Sequence, residues 1–283
     1  MSLAAIVRDE GNYCIDWVVH HHVVGFDQFI IVLHKCVDDT EVKLNLLKER
    51  LGLDIKIHHC TSDGPCQMGT YKWILEQYGH TTDWLLFLDS DEYVYCTNPG
   101  INYREDIKVF LRQFDKKISG VSIHGKVFGP CRQLKSPGTI DVFRERLPLD
   151  AVNHHSIKTF IRPKQCLSVL SPHIQNMKGK VVRTDGSPLT LIDGHRTIEP
   201  PIFDPVCFDH YYTRSAEDWV KRYTRGSCND PRPNHAYGLS DFLYYSYNME
   251  YDNSIGRYYY WKMDLFSKIY GNNNIQISEQ IKL

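Results

Sequence analysis

The sequence predicts an α/β fold: a mostly parallel central sheet flanked by helices, with a smaller mixed half after it. Three observations predict it. Strand-like and helix-like segments alternate four times between Leu3 and Tyr93, the rhythm of a parallel sheet with right-handed crossovers. One short apolar run, Trp84-Leu85-Leu86-Phe87-Leu88, is bounded by polar residues, as expected of a strand buried on both faces. That run stops at Asp89, Asp91 and Glu92. Open α/β sheets place their ligands just past the carboxyl ends of such strands.

The elements follow in order. Leu3 to Val7 reads as the first strand, with Arg8-Asp9-Glu10-Gly11 as its turn. Tyr13, Trp17, Val18 and His21 recur at helical spacing, and Gly25 can close that helix. Phe29 to Leu33 is a second buried strand leading into Lys35 to Asp39. Thr40 to Leu51 is a helix with Leu44, Leu47 and Leu51 on one face and Gly52 behind it. Asp54 to Cys60 alternates as a third strand, Gly69 to Tyr78 is a helix, and the apolar run is the fourth strand. A helix over Ile107–Phe114 and a strand over Gly120–Phe128 complete the readable part. Between residues 139 and 210 short strands and loops mix without a legible topology. Ser215 followed by Asp218 marks a helix start close to a capping box, and Arg225-Gly226 ends that helix. The tail from Tyr237 to Tyr270 is tyrosine-rich, with Trp261, Leu265 and Ile269 spaced as a helix.

Composition narrows the class. With 283 residues, 42% hydrophobic and 24% charged, the chain has the make-up of a soluble globular protein. A net charge of −1 gives no bulk attraction to nucleic acid or an anionic membrane. No stretch approaches the roughly 18 apolar residues of a membrane span, which leaves only peripheral membrane association open. The nine cysteines form no C-x-x-C pair, so free, packed thiols are expected rather than a zinc or redox motif. No G-x-G-x-x-G follows the first strand and no G-x-x-x-x-G-K-[ST] occurs, against dinucleotide-binding and P-loop folds.

Three strand ends, near residues 8–10, 35–39 and 89–92, carry polar clusters and converge on one rim of such a sheet. Asp89 and Asp91 are two apart and can turn toward one ion; hard oxygen ligands suit Mg²⁺ or Mn²⁺. The histidine triplet His20-His21-His22 is not a metal site, because consecutive helical positions diverge by about 100°. His58-His59 and His154-His155 would point to opposite faces of a strand.

Taken together, several ordered blocks resemble one family. They are Arg8-Asp9-Glu10 with Trp17, His20, His21 and Gly25; Asp38-Asp39-Thr40; Trp84 to Glu92; Phe128-Gly129; Pro137-Gly138; and Phe143-Arg144-Glu145-Arg146. Ser156-Ile157-Lys158, Arg162-Pro163, His173, and Asp209 to Ser215 with Lys221 and Arg225-Gly226 follow. The chain resembles a GT-A-fold glycosyltransferase of the family-2-like group that includes glycosyltransferase family 92. The resemblance covers roughly residues 3–230, with Asp9 where the family has Asn and Asp209 where it has Asn before His-Tyr.

The resemblance implies a metal-dependent transfer of a hexose from a nucleotide-diphosphate sugar to a sugar hydroxyl of a glycan acceptor, with inversion. It implies a UDP-sugar donor, UDP-galactose among them. A divalent ion, Mn²⁺ or Mg²⁺, would stabilise the leaving diphosphate. Asp91, Asp89 and, by the resemblance, His210 are the expected ligands, with an imidazole favouring Mn²⁺. Glu92 supports them. Glu10, Asp38, Asp39 and Asp89 are expected at the nucleoside, with Asp39 equally suited to capping the next helix. Arg8, Lys158, Arg162, Lys221 and Arg225 are the cations for the diphosphate. Glu145 is the expected general base, with Asp141 in reserve. Residues 1–283 read as one domain: a nucleotide-sugar half over 1–128, an acceptor and metal-completing half over 129–235, and an aromatic tail over 236–283. The start, running straight into a strand, points to a cytoplasmic protein, or else to the luminal catalytic fragment of a Golgi-type enzyme. The rival readings are a sugar-nucleotide nucleotidylyltransferase, against which stands the single glycine in residues 8–12, and a non-catalytic carbohydrate-binding module.

Overall fold

The computed structural model describes residues 1–100, 103–228 and 238–271. The tail read from Tyr237, and the stretch 236–283 assigned to it, therefore lie partly outside the described residues. Four parallel strands open the fold: β1 (Ser2–Val7), β2 (Gln28–His34), β3 (Asp54–Cys60) and β4 (Leu85–Phe87). The helices between them are α1 (Cys14–Val23), α2 (Thr40–Leu51) and α3 (Gln67–Tyr78). β5 (Glu92–Cys96), α4 (Tyr103–Arg112), β6 (Ile118–Val127), β7 (Glu145–Arg146) and β8 (Ile157–Ile161) follow. Then come β9 (Cys166–Val169), β10 (Gln175–Met177), β11 (Lys180–Arg183), β12 (Val206–His210), α5 (Ala216–Arg225), α6 (Leu239–Tyr244), β13 (Glu250–Tyr251) and α7 (Tyr259–Tyr270).

The main sheet runs β3-β2-β1-β4-β8-β6-β12-β5, with β11 also paired to β6. Only β8 and β5 run against the rest, so the sheet is mostly parallel, as the alternation predicts. Its side chains divide by the two-residue period of a strand. Leu3, Ala5, Val7, Phe29, Ile31 and Leu33 face one core together with α1 and α7 residues such as Trp17 and Ile269. Ala4, Ile6, Ile30, Val32, Leu85 and Phe87 face the other, under Tyr71 and Ile74 of α3.

Local chemistry explains the boundaries. Gly25 stands at φ 108, where a Cβ would meet the Arg104 carbonyl oxygen at 2.1 Å; α1 must stop at a glycine there. α2 ends at Gly52 in the left-handed region, φ 63. Ser215 and Asp218 form a full capping box on α5, the Ser215 hydroxyl accepting from the Asp218 N–H at 3.2 Å.

β4 ends at Phe87, the chain turns, and Glu92 begins β5, so the acidic turn stands just past the strand end as expected. Two expectations need correction. Asp39 does not cap α2 with its side chain; Asp38 accepts from the Thr40 N–H at 3.1 Å instead. His154-His155 lie in a 3₁₀ turn rather than a strand. The histidine triplet is structural. His20 and His21 are fully buried, binding the Val94 carbonyl at 2.8 Å and the Val94 N–H at 3.2 Å.

Candidate active site

The site is built at the turn between β4 and β5. The Glu92 N–H donates to the Asp89 carbonyl at 3.1 Å, while the Glu92 carboxylate folds back to accept from the Asp89 N–H at 3.0 Å. The Trp17 indole N–H reaches across from α1 to the Asp89 and Glu92 carbonyls, at 3.2 and 2.9 Å. The turn is thus clamped from both sides. β12 lies antiparallel beside β5 with His210 opposite Glu92, and the Tyr211 N–H donates to the Asp91 carbonyl at 2.8 Å. This register puts the His210 Nε2 3.6 Å from the Asp91 Oδ2. Two side chains 119 positions apart in sequence become neighbours because two strands pair.

Cations surround the carboxylates. Lys158 on β8, fully buried, reaches Asp89 at 2.7 Å and Glu92 at 3.0 Å, and Gln67 at the start of α3 donates to the other Asp89 oxygen at 3.0 Å. Arg222 on α5 pairs with Asp91. Glu10, after β1, takes Arg214 at 2.6 Å and Arg225 at 2.8 Å. Asp9 and Arg214, one on each side of this cluster, both sit in the left-handed region at φ 51, a conformation that costs on the order of 1 kcal/mol at a non-glycine residue.

Burial and charge set the ionisation. Burial would raise the Asp91 carboxyl, but Arg222 and His210 outweigh it and hold it well below the usual range. Glu10 is held down in the same way, burial being outweighed by Arg214 and Arg225. Glu92 goes the other way: burial dominates over Lys158 and pushes it up to about 7. His210 is raised, the attraction of Asp91 outweighing burial.

Two cavities open at this rim, and a third holds Glu145. A cleft of about 290 Å³ is lined by Arg8, Glu10, Asp89, Asp91, His210 and Arg225, among others. An adjoining one of about 320 Å³ is lined by Asp38, Asp39 and Lys221 and shares Glu10, Arg222 and Arg225 with the first. A third, about 330 Å³, holds Glu145 with Phe242 and Tyr247 and shares no lining residue with the carboxylate cleft.

The structure therefore brings Arg8, Glu10, Asp89, Asp91, His210 and Arg225 together, with Asp38 and Asp39 next door. It does not preassemble the expected metal triad. Among the described residues, the ligand atoms of Asp89, Asp91 and His210 do not all fall within 4.8 Å of one another, and Lys158 and Gln67 occupy both Asp89 oxygens. Lys158 does not line the cleft as a diphosphate cation would; it is sealed beneath Asp89. Arg162 stacks on Trp84 at 4.2 Å and donates to backbone carbonyls, so it serves the fold. Asp141 is buried against Lys262 at 2.9 Å, which also holds Asp16 at 2.7 Å, and so is not placed to act as a base in the cleft. Sequence reasoning missed Arg214 and Arg222 as site residues. The spacing of Arg222 and Arg225, one turn apart on α5, could have signalled Arg222; no such spacing marks Arg214.

The family model for glycosyltransferase family 92 matches residues 5–198, more than half of the chain and all of the carboxylate turn. The chain belongs to glycosyltransferase family 92. This family-92 chain is a glycosyltransferase, and its α/β architecture agrees with that assignment. No curated protein matches it. Among solved structures it is similar to the mannosyltransferase PcManGT from Pyrobaculum calidifontis in complex with GDP-Man and Mn²⁺: 14% identity, 43% of this chain and 34% of that one, TM-score 0.34. It is also similar to S. aureus TarS 1-349, at 16% identity, 58% of this chain and 47% of that one, TM-score 0.39. The same TarS fragment in complex with UDP-GlcNAc gives 16% identity, 58% and 46%, and TM-score 0.38. The chain thus spans under half the length of each of these chains, and likenesses this loose carry nothing beyond what the family model shows.

Proposed function

We propose that this glycosyltransferase moves a hexose from a UDP-sugar to a sugar hydroxyl in a single, inverting displacement, with a divalent ion at Asp91 and His210. One observation carries the reading: the Asp91–His210 pair opens on the same cleft as an unpaired guanidinium. Arg8 lines that cleft, and its Nε and Nη1 are buried with no hydrogen-bond partner among the described residues. Buried guanidinium N–H groups without an acceptor are costly unless a ligand supplies one, and a diphosphate supplies several.

The donor set fits the ion. A carboxylate and an imidazole 3.6 Å apart suit Mn²⁺ better than Mg²⁺, with Asp89 behind them. When bound, the ion neutralises charge that grows on the leaving diphosphate. Arg8 and Arg225 hold the diphosphate oxygens, and Glu10, Asp38 and Asp39 face the adjoining cavity, where ribose and base hydroxyl and N–H groups need acceptors. The acceptor hydroxyl enters from the third cavity and gives its proton to Glu145. Its oxygen bonds to the anomeric carbon as the bond from that carbon to the diphosphate breaks, the electron pair leaving with the diphosphate. Glu145 suits this side: Phe128 and Gly129 donate to the His210 and Glu145 carbonyls, both at 2.9 Å, so the base candidate and the metal candidate flank one strand end.

A thermal-shift series with UDP, GDP and CMP, each with and without Mn²⁺, tests the reading. The expected result is a shift with UDP that needs Mn²⁺. A GDP-selective shift overturns the donor, and a UDP shift indifferent to Mn²⁺ overturns the metal.

A further inference from the structure

We propose a second metal site in this chain, a Zn²⁺ site formed by His34, Cys60 and Cys66. Single ligand atoms from these three residues all lie within 4.8 Å of one another. No C-x-x-C spacing announces them; the fold makes the set. His34 and Cys60 are the last residues of β2 and β3 and are register partners in the parallel pair, so their side chains share a face. The Thr61–Pro65 loop then returns the chain to Cys66, the residue just before α3.

A second observation points to a ligand. His34 is fully buried. Its Nε2 lies 2.9 Å from the Ser62 carbonyl, which can only accept, so Nε2 carries the proton and Nδ1 is left with a lone pair. That Nδ1 is buried and has no hydrogen-bond partner among the described residues. Metal-ligating histidines are commonly held in this way, one ring nitrogen donating to a backbone carbonyl while the other binds the ion. Two thiols and one imidazole are a soft to borderline donor set that selects Zn²⁺ over Mn²⁺ or Mg²⁺. On binding, the Cys60 and Cys66 thiols each release a proton to solvent and coordinate as thiolates, leaving the fourth tetrahedral position to water. The cysteines are free in the structure.

The location gives the site a consequence. The Cys66 N–H donates to the Cys228 carbonyl at 3.0 Å, and Cys228 belongs to the segment after α5 that lines the carboxylate cleft. Zn²⁺ would tie the ends of β2 and β3 to the start of α3, and through Cys66 to that segment. It is separate from the Asp91–His210 site in position and in ligand chemistry.

The test is Co²⁺ and Zn²⁺ loading of the whole chain, purified under reducing conditions. The expected result is one Zn²⁺ per chain by elemental analysis and, after Co²⁺ exchange, a sulfur-to-cobalt charge-transfer band. Asp91→Ala should keep that band, since oxygen and nitrogen ligands do not produce it. Cys60→Ser and Cys66→Ser should each lower Zn²⁺ affinity by about tenfold or more, while Cys131→Ser leaves it unchanged. Because a cysteine variant can fail to fold, the wild-type Co²⁺ spectrum stands alone as a readout. Absence of the charge-transfer band in reduced wild type overturns the site. A native mass two hydrogens light with a Cys60–Cys66 peptide link also overturns it, in favour of a disulfide.

Discussion

The carboxylate cleft and the Glu145 cavity share no lining residue and differ in charge density. The cleft is charge-dense: Asp89, Asp91 and Glu10 are each matched to a lysine or arginine within 3.0 Å, and among the described residues Arg8 keeps two buried guanidinium nitrogens without an acceptor. The other cavity holds Glu145 and Arg132 with Phe242, Tyr247 and Met249. A surface rich in paired charge suits a ligand that carries charge through the reaction. One carboxylate beside aromatic rings suits a neutral sugar that must lose one proton. Under the proposed function, the two halves of the transfer reaction are separated by chemistry before they are joined by substrate.

The sharpest way to break this contrast is Asp91→Ala. It removes the carboxylate nearest His210, and Mn²⁺-dependent UDP binding and transfer should both fall below detection, a loss worth several kcal/mol (about 4) of transition-state stabilisation. Retained Mn²⁺-dependent binding by calorimetry would show that the cleft is not the metal side. Next, Glu145→Gln should lower kcat by about 10²-fold and leave UDP affinity unchanged. A parallel loss of UDP binding would merge the two cavities into one.

The pairing of charge in the cleft has its own test. Glu10→Gln leaves the buried Arg214 and the half-buried Arg225 without their carboxylate and should cost about 3 kcal/mol of stability at pH 7. Glu10 is lowered in the folded chain from its ordinary 4.5, so its contribution is full above that value and is lost as pH falls below it. The difference in melting free energy between variant and wild type should therefore shrink below pH 4.5; a constant difference down to pH 3 would deny the ion pairs that role. The smallest effect expected is for Arg222→Gln. Freed from its guanidinium, Asp91 should bind Mn²⁺ about fivefold more tightly, the equivalent of a weak ion pair of about 1 kcal/mol. Weaker Mn²⁺ binding would mean that Arg222 positions the carboxylate rather than competing for it.

Period and punctuation in the sequence were enough to locate most of the parallel strands and the helices between them. The alternation that ran from Leu3 to Phe87 predicted β1 to β4 and α1 to α3, with α2 and β3 matching at both ends, since apolar period and glycine caps are local properties. Asp89 and Asp91 were legible for the same reason, as an abrupt end to an apolar run. The sequence by itself determined the fold class, the family and the rim on which the acidic residues stand. Tertiary structure alone decided which charges meet. Lys158 looked like a cleft cation and is sealed under Asp89; Asp141 looked like a reserve base and is locked to Lys262; Arg222 was not singled out and pairs with Asp91. His34, Cys60 and Cys66 carried no spacing signal and came together through the register of β2 with β3. Charge pairing depends on which strands and helices lie side by side over a few ångströms, and nothing in local sequence periodicity encodes that distance.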